Sequence, residues 1–411
     1  MKRFAILLAF LTLFSCVEVE TNTIEPADEP GFELSARGLA RMFASLPMEP
    51  SHLREVYDAV GRSSGNGYDE EYTLDSLLMC PGAGVGPGTR ADTGARPLRD
   101  LVCDYLSGHA ATRAGVDDIV HLLADSGYQL YWPYSEDWDG ETYPVITFDP
   151  GFGAESNYGY ELAPGDGGAV IVDTLDVDEA MAMRRPVWVV NSNSDAAFTP
   201  LELFAGKASG VTEARILLQN CGRPWPHEWE GRSEAEVLQQ YSCVVKQGAL
   251  PAASRPRRLM LKSFKMLRNY DSWFGGASEF WIRCGSVDGF TASTDAELKL
   301  YTPTVTDFMI VVKRRDVGKE IPYEAIMVTD FTSQLDKLAF LIVEDDGGTR
   351  TKWECKASVK IQSKSYGFDL DIPYNEKDDI VWRGQLSARF FEEEDVVYGR
   401  FGDVVCSFEL D

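Results

Sequence analysis

Residues 353–361 read WECKASVKI, with Trp353, Cys355, Ala357, Val359 and Ile361 apolar and Glu354, Lys356, Ser358 and Lys360 between them. Side chains alternate faces along a strand, so a period of two buries one face and wets the other. The pattern repeats in Tyr366, Phe368, Leu370 and Ile372, and again in Val404, Cys406, Phe408 and Leu410. Upstream, Leu338 to Val343 runs into Asp345-Asp346-Gly347-Gly348, a turn whose glycines tolerate positive φ. A hairpin is therefore expected between that run and the Trp353 strand. Several such strands with turn signals between them predict an antiparallel β-sandwich over residues 256–411.

The preceding part has a different texture. Leu39, Met42, Phe43 and Leu46 recur at helical spacing, and Ser51 stands where an N-cap is expected ahead of Leu53, Val56, Tyr57 and Val60. Pro97 opens a third helix carrying Leu98, Leu101, Val102, Tyr105 and Leu106, and a fourth carries Val116, Ile119, Val120 and Leu123. From about residue 126 the pattern changes to short strands at 129–134, 145–148, 169–173 and 186–191. Helices first and strands later predict an α+β domain over residues 32–250, with a helical N-terminal part and a central α/β part. Charge marks its end. From Cys16 to Arg255 there are 16 Lys+Arg against 38 Asp+Glu, a balance of −22, and from Pro256 to Asp411 there are 21 against 27, a balance of −6. This break near Leu250-Pro251 to Arg258 is the expected domain boundary.

The first residues read as a leader. Lys2 and Arg3 precede the apolar run Phe4 to Phe14, FAILLAFLTLF. At about 1.5 Å per helical residue that run spans about half a bilayer core, which suits a signal peptide (residues 1–15) better than a permanent span. Leu13-Phe14-Ser15-Cys16 resembles the lipobox of bacterial lipoproteins, with Phe14 bulkier than usual at its position. The resemblance implies cleavage before Cys16 and a diacyl or triacyl (palmitate-type) anchor on it, which holds a protein stably to a membrane surface. Val17 in place of Asp, with Glu18 and Glu20 following, points to the outer membrane and a surface-exposed location. Residues 16–31 are acidic and proline-bearing and are expected to form a solvated tether.

The whole chain carries a net charge of −26. That disfavours nucleic acid, whose phosphates reward a concentrated basic patch. His52, His109, His121 and His227 are scattered without an HExxH pair, so a catalytic zinc site is not expected, and no GxSxG elbow occurs. The glycine-rich residues 81–90 (PGAGVGPGTR) lack the Lys-Ser/Thr ending of a phosphate loop and read as an exposed loop.

Two carboxylate clusters remain. Glu136, Asp137 and Asp139 surround Trp138 close to Trp132, a composition that suits an aromatic platform for a sugar, with core packing as the competing explanation. The EF-hand template fails there, because Ile146 occupies the position of the bidentate Glu. In the C-terminal part Asp271, Asp288, Asp345 and Asp346 fall in expected loops, where a sandwich can gather calcium ligands; solvated loop acids are the competing explanation.

The runs 128–150 (YQLYWPYSEDWDGETYPVITFDP), 185–195 (RPVWVVNSNSD) and 269–283 (NYDSWFGGASEFWIR) together resemble a group of uncharacterised Gram-negative secreted lipoproteins. The resemblance implies a helical part, a central α/β part, a C-terminal sandwich somewhat like a C2 domain, and an envelope location. It implies no activity.

Two functions stand open at this level: a non-enzymatic surface module that binds a glycan or a protein, and a carboxylate-dependent, glycosidase-like hydrolase. Calcium is the one cofactor considered, and the membrane is a partner through the lipid anchor. Seven cysteines remain beside Cys16. Disulfides are expected between Cys80 and Cys103 and between Cys221 and Cys243, each closing a loop of about 20 residues for about 3 kcal/mol. Cys355 and Cys406 point to the apolar faces of their strands, and Cys284 has no evident partner.

Overall fold

The Ser35 hydroxyl accepts a hydrogen bond from the Gly38 amide at 3.0 Å and so caps α1 (Ala36–Ala44), whose Leu39, Met42 and Phe43 are buried. The second helix, α2 (Pro50–Gly65), begins two residues earlier than Ser51 as its cap suggested. Glu49 is its cap, the Glu49 amide donates to His52 Nδ1 at 2.9 Å, and Pro50 takes the first turn, where a missing N–H costs nothing. His52 is thus a helix-end histidine, but a buried one. The computed structural model describes residues 33–79, 96–109, 113–193 and 257–411. The expected leader and tether, Cys80, the glycine-rich residues 81–90, Cys221, Cys243 and residues 250–256 of the expected boundary lie outside the described residues.

A short strand, β1 (Glu71–Thr73), and three helices, α3 (Leu74–Met79), α4 (Leu98–His109) and α5 (Arg113–Ala124), complete the helical part. Strands β2 (Tyr128–Tyr131), β3 (Val145–Phe148), β4 (Ser156–Gly165) and β5 (Gly168–Asp178) follow, then the short helix α6 (Glu179–Ala182) and β6 (Val187–Ser192). They form a mixed sheet in the order β1-β2-β6-β3-β4-β5 in which β3 and β6 are parallel and the other pairs antiparallel. The central strand β6 is apolar at consecutive positions because both faces are covered. Trp188 and Val190 pack among the helices, while Val187 and Val189 face a second cluster.

The C-terminal part is all antiparallel. Its strands are β7 (Leu259–Met266), β8 (Ser278–Ser286), β9 (Thr304–Val312), β10 (Ile321–Val328), β11 (Leu335–Glu344), β12 (Arg350–Ile361), β13 (Lys364–Asn375), β14 (Asp379–Ser387), β15 (Val396–Phe401) and β16 (Val404–Leu410). One sheet runs β10-β7-β16-β15 and the other β13-β12-β11-β8-β9, with β14 also paired to β11. Phe264, Phe408 and Cys406 from the first and Phe280, Phe340 and Ile342 from the second share one buried core. The hairpin expected between β11 and β12 is only partly formed. The two strands pair at Leu335–Val359 and Lys337–Ser358, and β14 then takes over the edge of β11 as far as Glu344. Freed from β11, β12 pairs along its whole length with β13.

Residues Phe32–Asp411 form one compact unit. Trp273 and Phe274, from the loop between β7 and β8, sit in the same buried cluster as Tyr131, Val145, Val187 and Val189 of the mixed sheet. Asn191 Nδ2 donates to the carbonyls of Phe274 and Gly275 at 3.0 and 2.7 Å, and Ala277 N donates to Asp69 Oδ2 at 3.0 Å. Gly276 has φ +130°, and a Cβ there would stand 2.6 Å from Asp69 Oδ2, so this close approach requires glycine. Among the described residues no helix is long and apolar enough to cross a membrane.

Candidate metal centre

The strand β11 carries six apolar residues, Leu338 to Val343, and then a glutamate. Glu344 pairs with Phe280 of β8 on one side and Asp379 of β14 on the other, which fixes its backbone at the end of a three-strand platform. It is 1% exposed, and its Oε1 has no hydrogen-bond partner. Buried carboxylates without partners are costly, because burial removes water that nothing replaces. Around it stand Asp271, from the loop after β7, and Asp346, from the turn after β11. One oxygen from each of the three carboxylates lies within 4.8 Å of the others. Asp271 shares a side-chain hydrogen bond with Glu344, while Asp346 is exposed and opens the group to solvent.

Crowding raises the affinity of all three for protons. Burial pushes the Glu344 carboxyl far above the usual carboxylate range, with the neighbouring Asp271 as the second cause. Burial also raises Asp271, and burial followed by the Asp271 charge lifts Asp346 to about 6. Arg314 lies near, but its fork is engaged elsewhere. Nε and Nη2 reach Glu179 at 2.6 and 3.2 Å, and Nη1 donates to the Asp271 carbonyl at 3.1 Å. An all-oxygen set with one exposed member suits a hard cation such as calcium, which takes carboxylates at about 2.3–2.6 Å.

Of the loop acids singled out by sequence, Asp271 and Asp346 come together and the other two do not join them. Asp345 is turned into the scaffold, where its Oδ2 accepts from Trp281 Nε1 at 2.8 Å and its Oδ1 from the Gly347 amide at 2.9 Å and Asn375 Nδ2 at 3.2 Å. Asp288 lies beyond the far end of β8. Eight residues separate it from Phe280, the partner of Glu344, about 26 Å at about 3.3 Å per residue. There its oxygens accept from Ser286 Oγ at 3.2 Å and Thr329 Oγ1 at 2.7 Å. Glu344 was missed by sequence reasoning, although a lone acid closing a buried apolar strand was a visible signal.

Core packing, the competing explanation for the aromatic platform, accounts for much of Trp132 and Trp138. Trp132 is 1% exposed and packs edge-on or tilted against Tyr57, Trp138 and Trp188, with centroids 5.3–6.0 Å apart. It is core, though it also lines a pocket of about 300 Å³ with Asp137, Trp138 and Asp139. Trp138 donates Nε1 to the Thr142 carbonyl at 2.9 Å and carries the Arg54 guanidinium 5.0 Å from its ring centroid. Asp139 caps a turn, accepting from the Glu141 and Thr142 amides. Glu136 is ion-paired with Arg315, and Asp137 lines the same pocket together with Trp138, Arg184 and Arg185. Among the described residues Cys103, Cys284, Cys355 and Cys406 are free thiols, and Cys80, the expected partner of Cys103, lies outside the described residues. Comparison with protein-family models, with curated proteins and with solved structures finds no match for the chain.

Proposed function

We propose that this chain is a non-catalytic binding module, carried on an outer-membrane or cell surface by lipid on Cys16, whose C-terminal β-sandwich holds a calcium ion between Asp271, Glu344 and Asp346. Glu344 carries the reading: a fully buried carboxylate with an unpartnered oxygen, aimed at two further carboxylates. A divalent cation would displace the shared proton and bind all three carboxylates at once, and Asp346 would give it a path from solvent. The anchor is supported by the basic start, the apolar run and the Ser15-Cys16 junction.

Calorimetry and thermal melts of the full chain in chelator-treated buffer test the site. Calcium at about 100 times its Kd should stabilise the fold by about 2.7 kcal/mol. In Glu344→Gln that response should vanish while the calcium-free melting temperature stays put, because glutamine resembles the protonated carboxyl that the calcium-free protein holds. Absence of a calcium response in the unaltered protein would sink the reading. Fatty-acid labelling that survives Cys16→Ala would sink the anchor.

A further inference from the structure

Between α2 and the turn before β10 lies a cleft of about 640 Å³, within the range of about 300–1,000 Å³ common for small-ligand sites. Its walls mix donors and acceptors. Tyr57, Asp58 and Arg62 come from α2, Glu70 precedes β1, and Lys313 reaches in from the C-terminal part. The Tyr57 ring is braced by Trp132 and Trp138 and so is a fixed aromatic element.

Gly61 says what the cleft is for. It sits inside α2, where glycine destabilises a helix relative to alanine. A Cβ at Gly61 would meet no atom within 4 Å, and its φ is not in the left-handed region. Neither close packing nor backbone conformation requires glycine here. Gly61 is exposed and lines the cleft, so a side chain there would enter the cleft's open space.

We propose that this cleft binds a short neutral saccharide, with Tyr57 against a sugar face and Asp58, Arg62, Glu70 and Lys313 sharing its hydroxyls. A cation would need only acceptors and an anion only donors; sugar hydroxyls are both, and they match a wall that carries both. Glu70 fits the same chemistry. Burial first, and the Asp69 charge second, raise its carboxyl to about 7, so near neutrality it can donate or accept. The proposal names the ligand of the binding-module reading but shares no residue with the calcium site.

The test is saturation-transfer NMR on the full chain in EDTA, with neutral tetrasaccharides of the gluco, manno, galacto, xylo and N-acetylglucosamine series as probes. EDTA separates it from the calcium question, since either site can then fail alone. At least one probe should receive saturation, its binding should weaken about tenfold in Glu70→Leu, which can neither donate nor accept, and it should disappear in Gly61→Tyr, whose ring fills the cleft. Circular dichroism should show the Gly61→Tyr fold unchanged, because the new side chain enters open space. Silence from every probe, or equal binding by Gly61→Tyr, would overturn the proposal.

Discussion

Arg314 grips the Glu179 carboxylate with two nitrogens, at 2.6 and 3.2 Å, across 135 residues of sequence. The arginine comes from the turn after β9 and the glutamate from α6, so the pair ties the C-terminal sheets to the mixed sheet. Tyr134 adds its hydroxyl to Glu179 Oε1 at 2.9 Å, and the third guanidinium nitrogen holds the loop of Asp271. Bidentate arginine–carboxylate contacts are directional as well as charged, which suits a latch.

Arg314→Met keeps the aliphatic bulk and leaves Glu179 facing a half-buried site without its charge. Breaking a buried pair on one side typically costs about 3–5 kcal/mol, and the partial exposure of Glu179 puts the expectation at the lower end. Scanning calorimetry should show a lower melting temperature and a split between the two halves. A single unshifted transition would show that Trp273 and Phe274 hold the halves together unaided.

Asp346 and Asp288 separate the cation site from ordinary loop acids. Asp346 is exposed and makes its contribution through charge, so Asp346→Asn should leave the calcium-free fold intact and weaken calcium about tenfold, roughly 1.4 kcal/mol. Asp288→Ala should do the reverse. It removes the acceptors for Thr329 and Ser286, a loss of about 0.5–1.5 kcal/mol per bond, and leaves calcium binding unchanged. Calorimetric titration of both variants checks the pair, and equal calcium affinities would count against the site.

Strand β12 was legible because one of its faces is wet, so its sequence alternates residue by residue. Strand β6 was also found, yet its two buried faces erase alternation and hide which side meets the helices. Partners were harder than strands. The pairing of β11 with β8 and β14 depends on residues some 40–60 positions away, which no local turn signal encodes. Trp132 illustrates the same limit: next to Trp138 and three acids its sequence leaves a surface platform and core packing both open, and the packing of Tyr57 and Trp188 against it makes it core. Two of the three carboxylates of the cation site were visible as loop aspartates. Its floor, Glu344, is attached to a strand whose apolar run drew the eye away from its last residue.

Glu70 gives the fold a pH dependence whose sign follows from its position. In the folded protein its carboxyl is raised to about 7, against 4.5 when unfolded, by burial and by Asp69. Below about 4.5 both states are protonated and Glu70 costs nothing. As pH rises the unfolded chain ionises first, so stability drains away through the window from 4.5 to 7, and above it the full penalty is present. At about 1.36 kcal/mol per pH unit that penalty is about 3 kcal/mol. Glu70→Gln removes the titration while keeping an oxygen for the Tyr134 amide, so urea unfolding should find the variant more stable than the unaltered protein at pH 8 and indistinguishable from it at pH 4. Stability curves that stay parallel across this window would mean that Glu70 is ionised in the folded protein at neutral pH, and that the cleft is wetter than its walls suggest.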